Sequence, residues 1–142
     1  MKSSREMPTE KPDRHRAVVL DSFAWIEYFN GTSAGEKVRN FLENGLVLTP
    51  AIVVAELAEK YRRLNREFGS KFDFVKARSS IVPLEEELAR VAGETNFERK
   101  RRVKGWGMAD SIILATARRS GSKVVTGDPH FKDLVEETIL VL

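Results

Sequence analysis

The sequence has 142 residues, of which 42% are hydrophobic and 32% charged, a composition typical of a single globular domain. It contains no cysteine and two histidines, which excludes disulfide frameworks, zinc fingers, iron–sulfur sites, thiol nucleophiles and histidine-rich metal sites. The formal net charge of +3 is a mild basic bias that is compatible with a nucleic acid partner.

Residues 1–16 differ in composition from the rest of the chain, because they are polar and charged and include Pro8 and Pro12. They lack the apolar segment of a secretory signal, and no apolar run approaches the roughly 20 residues of a membrane span. We therefore predict a flexible extension over residues 1–16, a single domain over residues 17–142, and a cytoplasmic protein without a membrane anchor.

Short apolar runs rich in β-branched residues recur after residue 16 and predict strands that are covered on both faces, as in a parallel sheet. A weaker candidate lies at residues 81–82, because Pro83 suits only a strand end or an edge strand. The four clearer predicted strands span residues 17–20, 46–48, 123–126 and 138–142.

Helical patterns separate the predicted strands, and they span residues 23–29, 35–42, 49–68, 85–103 and 108–119. The third is expected to begin with Thr49 as its N-cap and Pro50 at the first helical position, and to carry one apolar stripe as far as Phe68. The last is apolar on nearly all sides and is therefore expected to be buried. Strands that alternate with helices predict an α/β sandwich around a mostly parallel sheet.

Two aspartates follow predicted strands: Asp21 after residues 17–20, and Asp128 just beyond residues 123–126. In an open α/β sheet the carboxyl ends of the strands form the ligand crevice, which makes both residues candidates for a binding site. The structural alternative for each is a helix cap or a turn, where aspartate is common.

Two further acids fall among apolar residues of predicted helices. Asp110 shares a helix face with core positions, and Glu56 lies about two turns into its helix, too deep to act as a cap. An unpaired buried carboxylate is costly, so each side chain requires a partner. The alternatives are a first-turn acid favoured by the helix dipole for Asp110 and a solvent-facing salt bridge to Lys60 for Glu56.

The four acids can converge at one edge of the sheet, because a helix that follows a parallel strand begins at the carboxyl end of that strand. Clustered carboxylates repel one another and raise their own pKa values unless a cation lies among them. Ligation by oxygen alone favours Mg²⁺ or Mn²⁺, a type of ion that suits phosphodiester hydrolysis. Thr126 and Ser22 could assist with their hydroxyl groups, although both are also common in turns and caps.

Four segments, each containing one of the acids, occur in a characteristic order. They read Val-Val-Leu-Asp-Ser at residues 18–22, Thr-Pro-Ala-Ile-Val-Val-Ala-Glu-Leu at 49–57, Ala-Asp-Ser-Ile-Ile-Leu-Ala-Thr-Ala at 109–117, and Val-Val-Thr-Gly-Asp-Pro-His-Phe at 124–131. In these segments the chain from Ala17 onward resembles a PIN domain, the fold of many metal-dependent ribonucleases, including VapC-type toxins.

The resemblance implies a three-layer α/β/α sandwich with a central, mostly parallel five-stranded sheet in the strand order 3-2-1-4-5. It also implies an acidic Mg²⁺ or Mn²⁺ site, a homodimer and an inhibiting antitoxin partner. Its implied catalytic residues are Asp21, Glu56, Asp110 and Asp128 as metal ligands, with Thr126 in support. The sequence departs from the family in the polar residues that precede the first strand, and in Gly127, where a small polar residue such as Asn is common.

Two basic segments could guide a phosphate backbone towards the acids. One covers residues 98–104, with five basic residues and one acid, and the other comprises Arg62, Arg63, Arg66 and Lys71. A solvated helix surface is the alternative for each. Trp106 could stack on a base, although packing is its more common role, and Trp25 is expected in the core or in a dimer interface. His130 is expected to have a surface or packing role, and no histidine is expected to assist the acids.

We therefore expect a metal-dependent endoribonuclease, the toxin of a type II toxin–antitoxin pair. One alternative is a phosphatase or phosphotransfer domain with Asp21 as the nucleophile. The D-x-D arrangement typical of such phosphatases is absent, because Ser22 and Phe23 follow Asp21. The other alternative is a non-catalytic module of the same fold that binds RNA or protein, for which a lack of metal binding would be diagnostic.

Overall fold

A parallel sheet of five strands forms the centre of the structure, a computed structural model in which residues 17–141 are described. The strands are β1 (Ala17–Leu20), β2 (Leu46–Pro50), β3 (Ser80–Val82), β4 (Lys123–Thr126) and β5 (Thr138–Leu140). Their order is β3-β2-β1-β4-β5, and each neighbouring pair is parallel. This confirms the predicted α/β class and the strand order that the PIN resemblance implied. The predicted extension over residues 1–16 lies outside the described residues.

Six helices connect the strands and complete a three-layer α/β/α sandwich. They are α1 (Ser22–Asn30), α2 (Ser33–Asn44), α3 (Ala51–Arg63), α4 (Gly69–Arg78), α5 (Glu86–Lys100) and α6 (Met108–Ser120). In the described part of the chain, no helix combines the length and apolar character that crossing a membrane requires.

The central strands β1 and β4 are buried on both faces, which explains their continuous apolar sequences. Val19 pairs with Val124 and Leu20 with Val125, and all four side chains are fully buried. After β1 the chain continues to β2 on one side, whereas β4 returns to the other side of β1. This is the point at which the strand order reverses, and the carboxyl ends of β1 and β4 therefore border the crevice that open α/β sheets use for ligands.

Helix α6 is the most deeply buried helix, as its sequence predicted. Every residue from Ser111 to Ala117 is buried. The helix ends at Ser120 and is followed by Gly121, whose left-handed backbone, with φ of 67°, is the conformation that favours glycine after a helix. Its first turn is less buried, with Met108 exposed and Asp110 half-buried.

The predicted helix start at Thr49 is wrong, because Thr49 and Pro50 are the last two residues of β2 and α3 begins at Ala51. Thr49 is fully buried, and its hydroxyl accepts a hydrogen bond from Trp25 Nε1 at 3.1 Å and bonds Ser79 Oγ at 2.8 Å. The hydroxyl thus satisfies the buried indole of Trp25, which places that tryptophan in the core.

The predicted helix over residues 49–68 is also too long, because α3 ends at Arg63 and a separate helix, α4, follows it. Asn65 adopts a left-handed backbone with φ of 57°, and Leu64 is 51% exposed. Phe68 reaches the apolar stripe from beyond the break, where its ring stacks on Tyr61 with the centroids 5.4 Å apart. The spacing of apolar residues continued across the break, and it therefore gave no sign of the turn.

Candidate metal centre

Asp21 stands at the junction of β1 and α1 and is 4% exposed. Its Oδ1 accepts a hydrogen bond from the backbone N–H of Ala24 at 2.9 Å, so it caps α1 as the structural alternative proposed, and its carboxyl also hydrogen-bonds Thr126. Its pKa is nevertheless raised from 3.8 to about 7, mainly by burial and in smaller part by the nearby charges of Asp128 and Glu56. Two hydrogen bonds therefore do not compensate for the burial of this charge.

Asp128 follows β4 and lies next to Asp21 through the hydroxyl of Thr126. Thr126 is fully buried, and its Oγ1 accepts a hydrogen bond from the backbone N–H of Asp128 at 2.9 Å. One threonine thus holds the carboxyl of Asp21 and the backbone of Asp128. Asp128 Oδ1 accepts a hydrogen bond from the N–H of His130 at 2.9 Å, which caps the 3₁₀ turn Pro129–Phe131.

Asp110 is the third residue of α6 and is half-buried. Its Oδ2 accepts a hydrogen bond from the N–H of Gly107 at 3.0 Å, which ties it to the start of the helix. Burial raises its pKa, and Asp128 raises it further, whereas the hydrogen bond from Gly107 and the charges of His130 and Arg99 lower it. Asp110 is therefore a first-turn acid of α6 and also lies close enough to Asp128 to be affected by its charge.

Glu56 lies in the second turn of α3 and is half-buried. It forms no salt bridge with Lys60 within the described residues, so the proposed solvent-facing pair is wrong. Instead its carboxyl interacts with Ser22, and its Oε1 is buried without a hydrogen-bond partner among residues 17–141. Burial raises its pKa, with further contributions from Asp110 and Asp128. A buried oxygen without a partner is consistent with a site that accommodates a group from outside the chain.

The four carboxyl groups act on one another electrostatically, as expected for a common cluster at the carboxyl edge of the sheet. Asp128 raises the pKa of each of the other three acids, and Asp110 raises that of Glu56. No lysine or arginine among residues 17–141 forms a salt bridge with any of the four. An acidic cluster with buried oxygens and no salt bridge to a lysine or arginine among the described residues fits a hard divalent cation such as Mg²⁺ or Mn²⁺.

His130 lies beside these acids, whereas a surface or packing role was expected for it and no histidine was expected to assist them. Single ligand atoms of Asp110, Asp128 and His130 all lie within 4.8 Å of one another, an arrangement that could hold a metal ion. His130 Nδ1 is 2.9 Å from Asp128 Oδ1. The signal in the sequence is the spacing of two residues from Asp128, but the tight turn that brings the ring back towards the carboxyl was not predicted.

Gly127 separates β4 from Asp128, and its lack of a side chain has a local cause. A Cβ at this position would overlap the ring of Phe23, which follows Asp21 by two residues. The Phe23 ring thus occupies the space that a small polar residue such as Asn would need. This contact joins the segments that follow β1 and β4, and it explains why a glycine stands at this position.

The basic segment at residues 98–104 divides into a structural part and an exposed part. Arg99 is buried, forms two hydrogen bonds to Asp133 at 2.8 and 2.9 Å, and lies 4.2 Å from the Trp106 ring. Trp106 is itself buried and donates to Ser111 Oγ at 2.7 Å, so it has a packing role. The remaining basic residues of the segment are exposed: Lys100, Arg101, Arg102 and Lys104.

The second basic segment lies on α3, α4 and the turn between them. Arg62, Arg63 and Arg66 are exposed, and Arg63 lies 3.5 Å from Glu59. Lys71 is half-buried, with its ammonium 5.8 Å from the ring centroid of Phe29. Most of this segment is therefore a solvated helix surface.

Solved structures with the same fold come from toxin–antitoxin systems. VapBC2 from Rickettsia felis, bound to a DNA fragment from its promoter, has a TM-score of 0.69 at 20% identity, covering 87% of this chain and 96% of that chain. A toxin–antitoxin complex from Klebsiella pneumoniae has a TM-score of 0.65 at 16% identity, covering 88% and 98%. VapC20 from Mycobacterium tuberculosis, a sarcin–ricin loop cleaving toxin, has a TM-score of 0.64 at 14% identity, covering 82% and 94%. At these identities the likeness shows a shared fold.

No curated protein matches the sequence significantly. The family model of the PIN domain matches residues 18–137, which include all of β1 except its first residue, all of β4, and the four acids of the candidate metal centre. Because this match extends over most of the chain, the protein belongs to the PIN domain family.

Proposed function

We propose that this protein is a metal-dependent endoribonuclease that hydrolyses RNA phosphodiester bonds with Mg²⁺ or Mn²⁺. One observation carries the proposal: the carboxyl group of Asp21 is buried with a pKa of about 7, next to Glu56 and Asp128, and it has no cationic side chain as a partner. A fold stores such an unfavourable charge cluster most readily where a ligand relieves it.

Asp21, Glu56, Asp110 and Asp128 would hold one or two divalent ions. Such an ion supplies Lewis acidity, which lowers the pKa of water and offsets charge on a phosphate group. Thr126 is fully buried and holds Asp21 and Asp128 in place, so its role is to position the ligands rather than to contact RNA. Ser22 forms a hydrogen bond with the Glu56 carboxyl, so we assign it the same positioning role for that ligand.

The exposed basic residues of the segment 98–104 support RNA as the substrate. Lys100, Arg101, Arg102 and Lys104 precede α6, whose first turn carries Asp110. Positive charge beside an acidic metal centre offsets the repulsion between that centre and a phosphate backbone, and it guides the backbone towards the cleavage point.

We further propose that the protein is the toxin of a type II toxin–antitoxin pair, acts in the cytoplasm as a homodimer, and is inhibited by a small antitoxin. The support is the fold shared with VapBC2 of R. felis and with the K. pneumoniae toxin–antitoxin complex. Light scattering of the purified protein tests the dimer. Co-purification with the product of the adjacent reading frame tests the antitoxin, and a neighbouring gene without such a product would contradict the pairing.

Metal binding tests the proposal without knowledge of the RNA target. We would measure thermal unfolding in EDTA, Mg²⁺ and Mn²⁺ for the wild type, for Asp110→Asn, and for the matched control Asp73→Asn. Asp73 is exposed on α4, and it lies 3.6 Å from Lys76. A cation at 100 times its Kd stabilises the folded state by about 2.7 kcal/mol. We expect this gain in the wild type and in Asp73→Asn, and a much smaller gain in Asp110→Asn.

Cleavage of a random RNA pool, with the new ends identified by sequencing, tests the reaction itself. A pool avoids the false negative that a sequence-selective nuclease gives on one arbitrary substrate. We expect metal-dependent cleavage by the wild type and none by Asp110→Asn. Cleavage that survives this substitution would contradict the site, whereas RNA retention without metal binding or cleavage would favour a non-catalytic binding module.

A further inference from the structure

We propose that His130 is a nitrogen ligand of the metal centre, beside Asp110 and Asp128, and that it shifts the ion preference from Mg²⁺ towards Mn²⁺. This inference rests on the proposed function, because it assumes that the acidic cluster binds a divalent ion. It adds a ligand of a different chemical type to the four carboxylates that define the site.

The backbone around His130 is built to hold the imidazole ring at the acids. Gly105 has a left-handed backbone with φ of 86°, and a Cβ on it would lie 2.8 Å from His130 Nε2. Arg99 donates a hydrogen bond to the carbonyl oxygen of His130 at 3.3 Å. The next residue, Phe131, is fully buried against Trp106, with the ring centroids 4.9 Å apart. The ring therefore has a glycine on one side and a fixed main chain below it.

The ring nitrogen next to the acids is not used in a hydrogen bond. Nδ1 of His130 is buried and has no hydrogen-bond partner within residues 17–141, although Asp128 Oδ1 is only 2.9 Å away. That oxygen already accepts a hydrogen bond from the N–H of His130. An unprotonated Nδ1 at this distance would offer its lone pair beside that of the carboxylate oxygen, and a cation between the two would remove the repulsion.

The separation of these two atoms matches that of adjacent ligands around a metal ion. In an octahedral shell with bonds of about 2.1 Å, neighbouring ligand atoms lie about 3 Å apart. The atoms Nδ1 of His130 and Oδ1 of Asp128, at 2.9 Å, have this spacing, and Asp110 completes a group within 4.8 Å. A direct ion pair between a protonated His130 and Asp128 is the competing explanation.

An imidazole ligand changes which ion the site prefers. Mg²⁺ favours oxygen ligands and keeps much of its water, whereas Mn²⁺ accepts imidazole nitrogen readily and binds nitrogen-containing sites more tightly. A purely carboxylate centre discriminates weakly between the two ions. A centre that includes His130 is therefore expected to favour Mn²⁺.

Electron spin echo spectroscopy of bound Mn²⁺ tests the ligand directly, because a coordinated nitrogen modulates the echo. The sample is the full chain carrying His15→Asn and labelled with ¹⁵N-histidine, so that His130 supplies the only labelled ring. We expect a ¹⁵N coupling that is replaced by a ¹⁴N coupling in the unlabelled protein. Bound Mn²⁺ without any histidine coupling would overturn the inference and leave the proposed function standing.

Ion affinities of His130→Asn, with His15→Asn as the matched control, test the selectivity. We expect the Kd for Mn²⁺ to rise about tenfold or more in His130→Asn and the Kd for Mg²⁺ to change much less. Equal losses for both ions would overturn the selectivity and favour the ion pair. If the wild type binds neither ion, both this inference and the proposed function fail, which distinguishes that outcome from the loss of the nitrogen ligand alone.

Discussion

Arg99 and Asp21 are both buried charged residues, yet only Arg99 has an opposite charge beside it. The guanidinium of Arg99 forms two hydrogen bonds with the Asp133 carboxylate and lies over the Trp106 ring. Asp21 has hydrogen bonds from Ala24 and Thr126, and its charged neighbours are other acids. The charge of Arg99 is therefore compensated by another side chain, whereas the charge of Asp21 is not.

This difference separates a structural charge from one that is held for a ligand. A buried charge is tolerated when a partner and hydrogen bonds compensate for its loss of water. The pKa of Asp133 is lowered by Arg99, as expected for a pair that stabilises the fold, whereas the pKa of Asp21 is raised by burial. The two regions are also connected, because Arg99 donates to the carbonyl of His130 in the turn that follows Asp128.

The largest expected effect is a gain in stability from Asp21→Asn in metal-free protein at high pH. The pKa of Asp21 is raised from 3.8 to about 7, so the folded state binds more protons than the unfolded state between these values, and its stability falls as the pH rises. The full difference is about 4 kcal/mol above pH 7. Asn can still accept the hydrogen bond that caps α1. Urea unfolding in EDTA at pH 4 and pH 8 measures it.

We expect Asp21→Asn to exceed the wild type in stability at pH 8 and to match it at pH 4. Asp73→Asn, which alters an exposed carboxylate, is the control and is expected to show no such dependence on pH. If Asp21→Asn is no more stable than the wild type at pH 8, the charge of Asp21 does not destabilise the folded state. The contrast with Arg99 would then disappear.

The second expected effect is a loss of stability, and it concerns the ion pair between Arg99 and Asp133. Arg99→Met keeps much of the apolar stem but leaves Asp133 unpaired. The Asp133 side chain is 46% exposed and can regain water, so we expect a loss of about 2 kcal/mol, less than for a fully buried pair. Urea unfolding at pH 7 measures it, with Arg90→Met on the exposed face of α5 as the control. The loss should shrink below the lowered pKa of Asp133. An Arg99→Met protein as stable as the wild type would contradict the structural role.

The fold and the positions of the four acids within it were predictable because their signals are local. Continuous apolar runs identify the buried strands β1 and β4, and an acid directly after such a strand lies at the carboxyl edge whatever the rest of the chain does. The same holds for Asp110, because a carboxylate in a helix with buried residues from Ser111 onward is conspicuous in the sequence. Local pattern and topology together were sufficient for these features.

The features that sequence did not predict depend on contacts between distant segments. Thr49 lies in a strand rather than capping a helix, and its hydroxyl accepts a hydrogen bond from the indole of Trp25, 24 residues earlier. The turn at Asn65 interrupts an apolar stripe that Phe68 rejoins from the next segment. His130 reaches the acids because Gly105, 25 positions earlier in the numbering, leaves room for its ring. None of these partners is visible in the residues that immediately flank each position.

The smallest expected effect concerns the contact between Gly127 and Phe23, and it tests whether the acidic cluster has a fixed geometry despite its uncompensated charge. Gly127→Ala introduces a Cβ that overlaps the Phe23 ring, and because Phe23 is half-buried the ring can yield, so we expect a loss of about 1 to 2 kcal/mol. In a Phe23→Ala background the same change should cost almost nothing, since the clash is gone, and a double-mutant cycle gives the coupling. Gly93→Ala is the matched control: nothing lies within 4 Å of a Cβ there, and a helical alanine is favourable.

If Gly127→Ala costs the same with and without Phe23, the ring does not join the ends of β1 and β4. If the two residues are coupled and Gly127→Ala also weakens Mn²⁺ binding, this contact sets the spacing of Asp21 and Asp128. The acidic cluster would then have a defined geometry although its charges are unpaired.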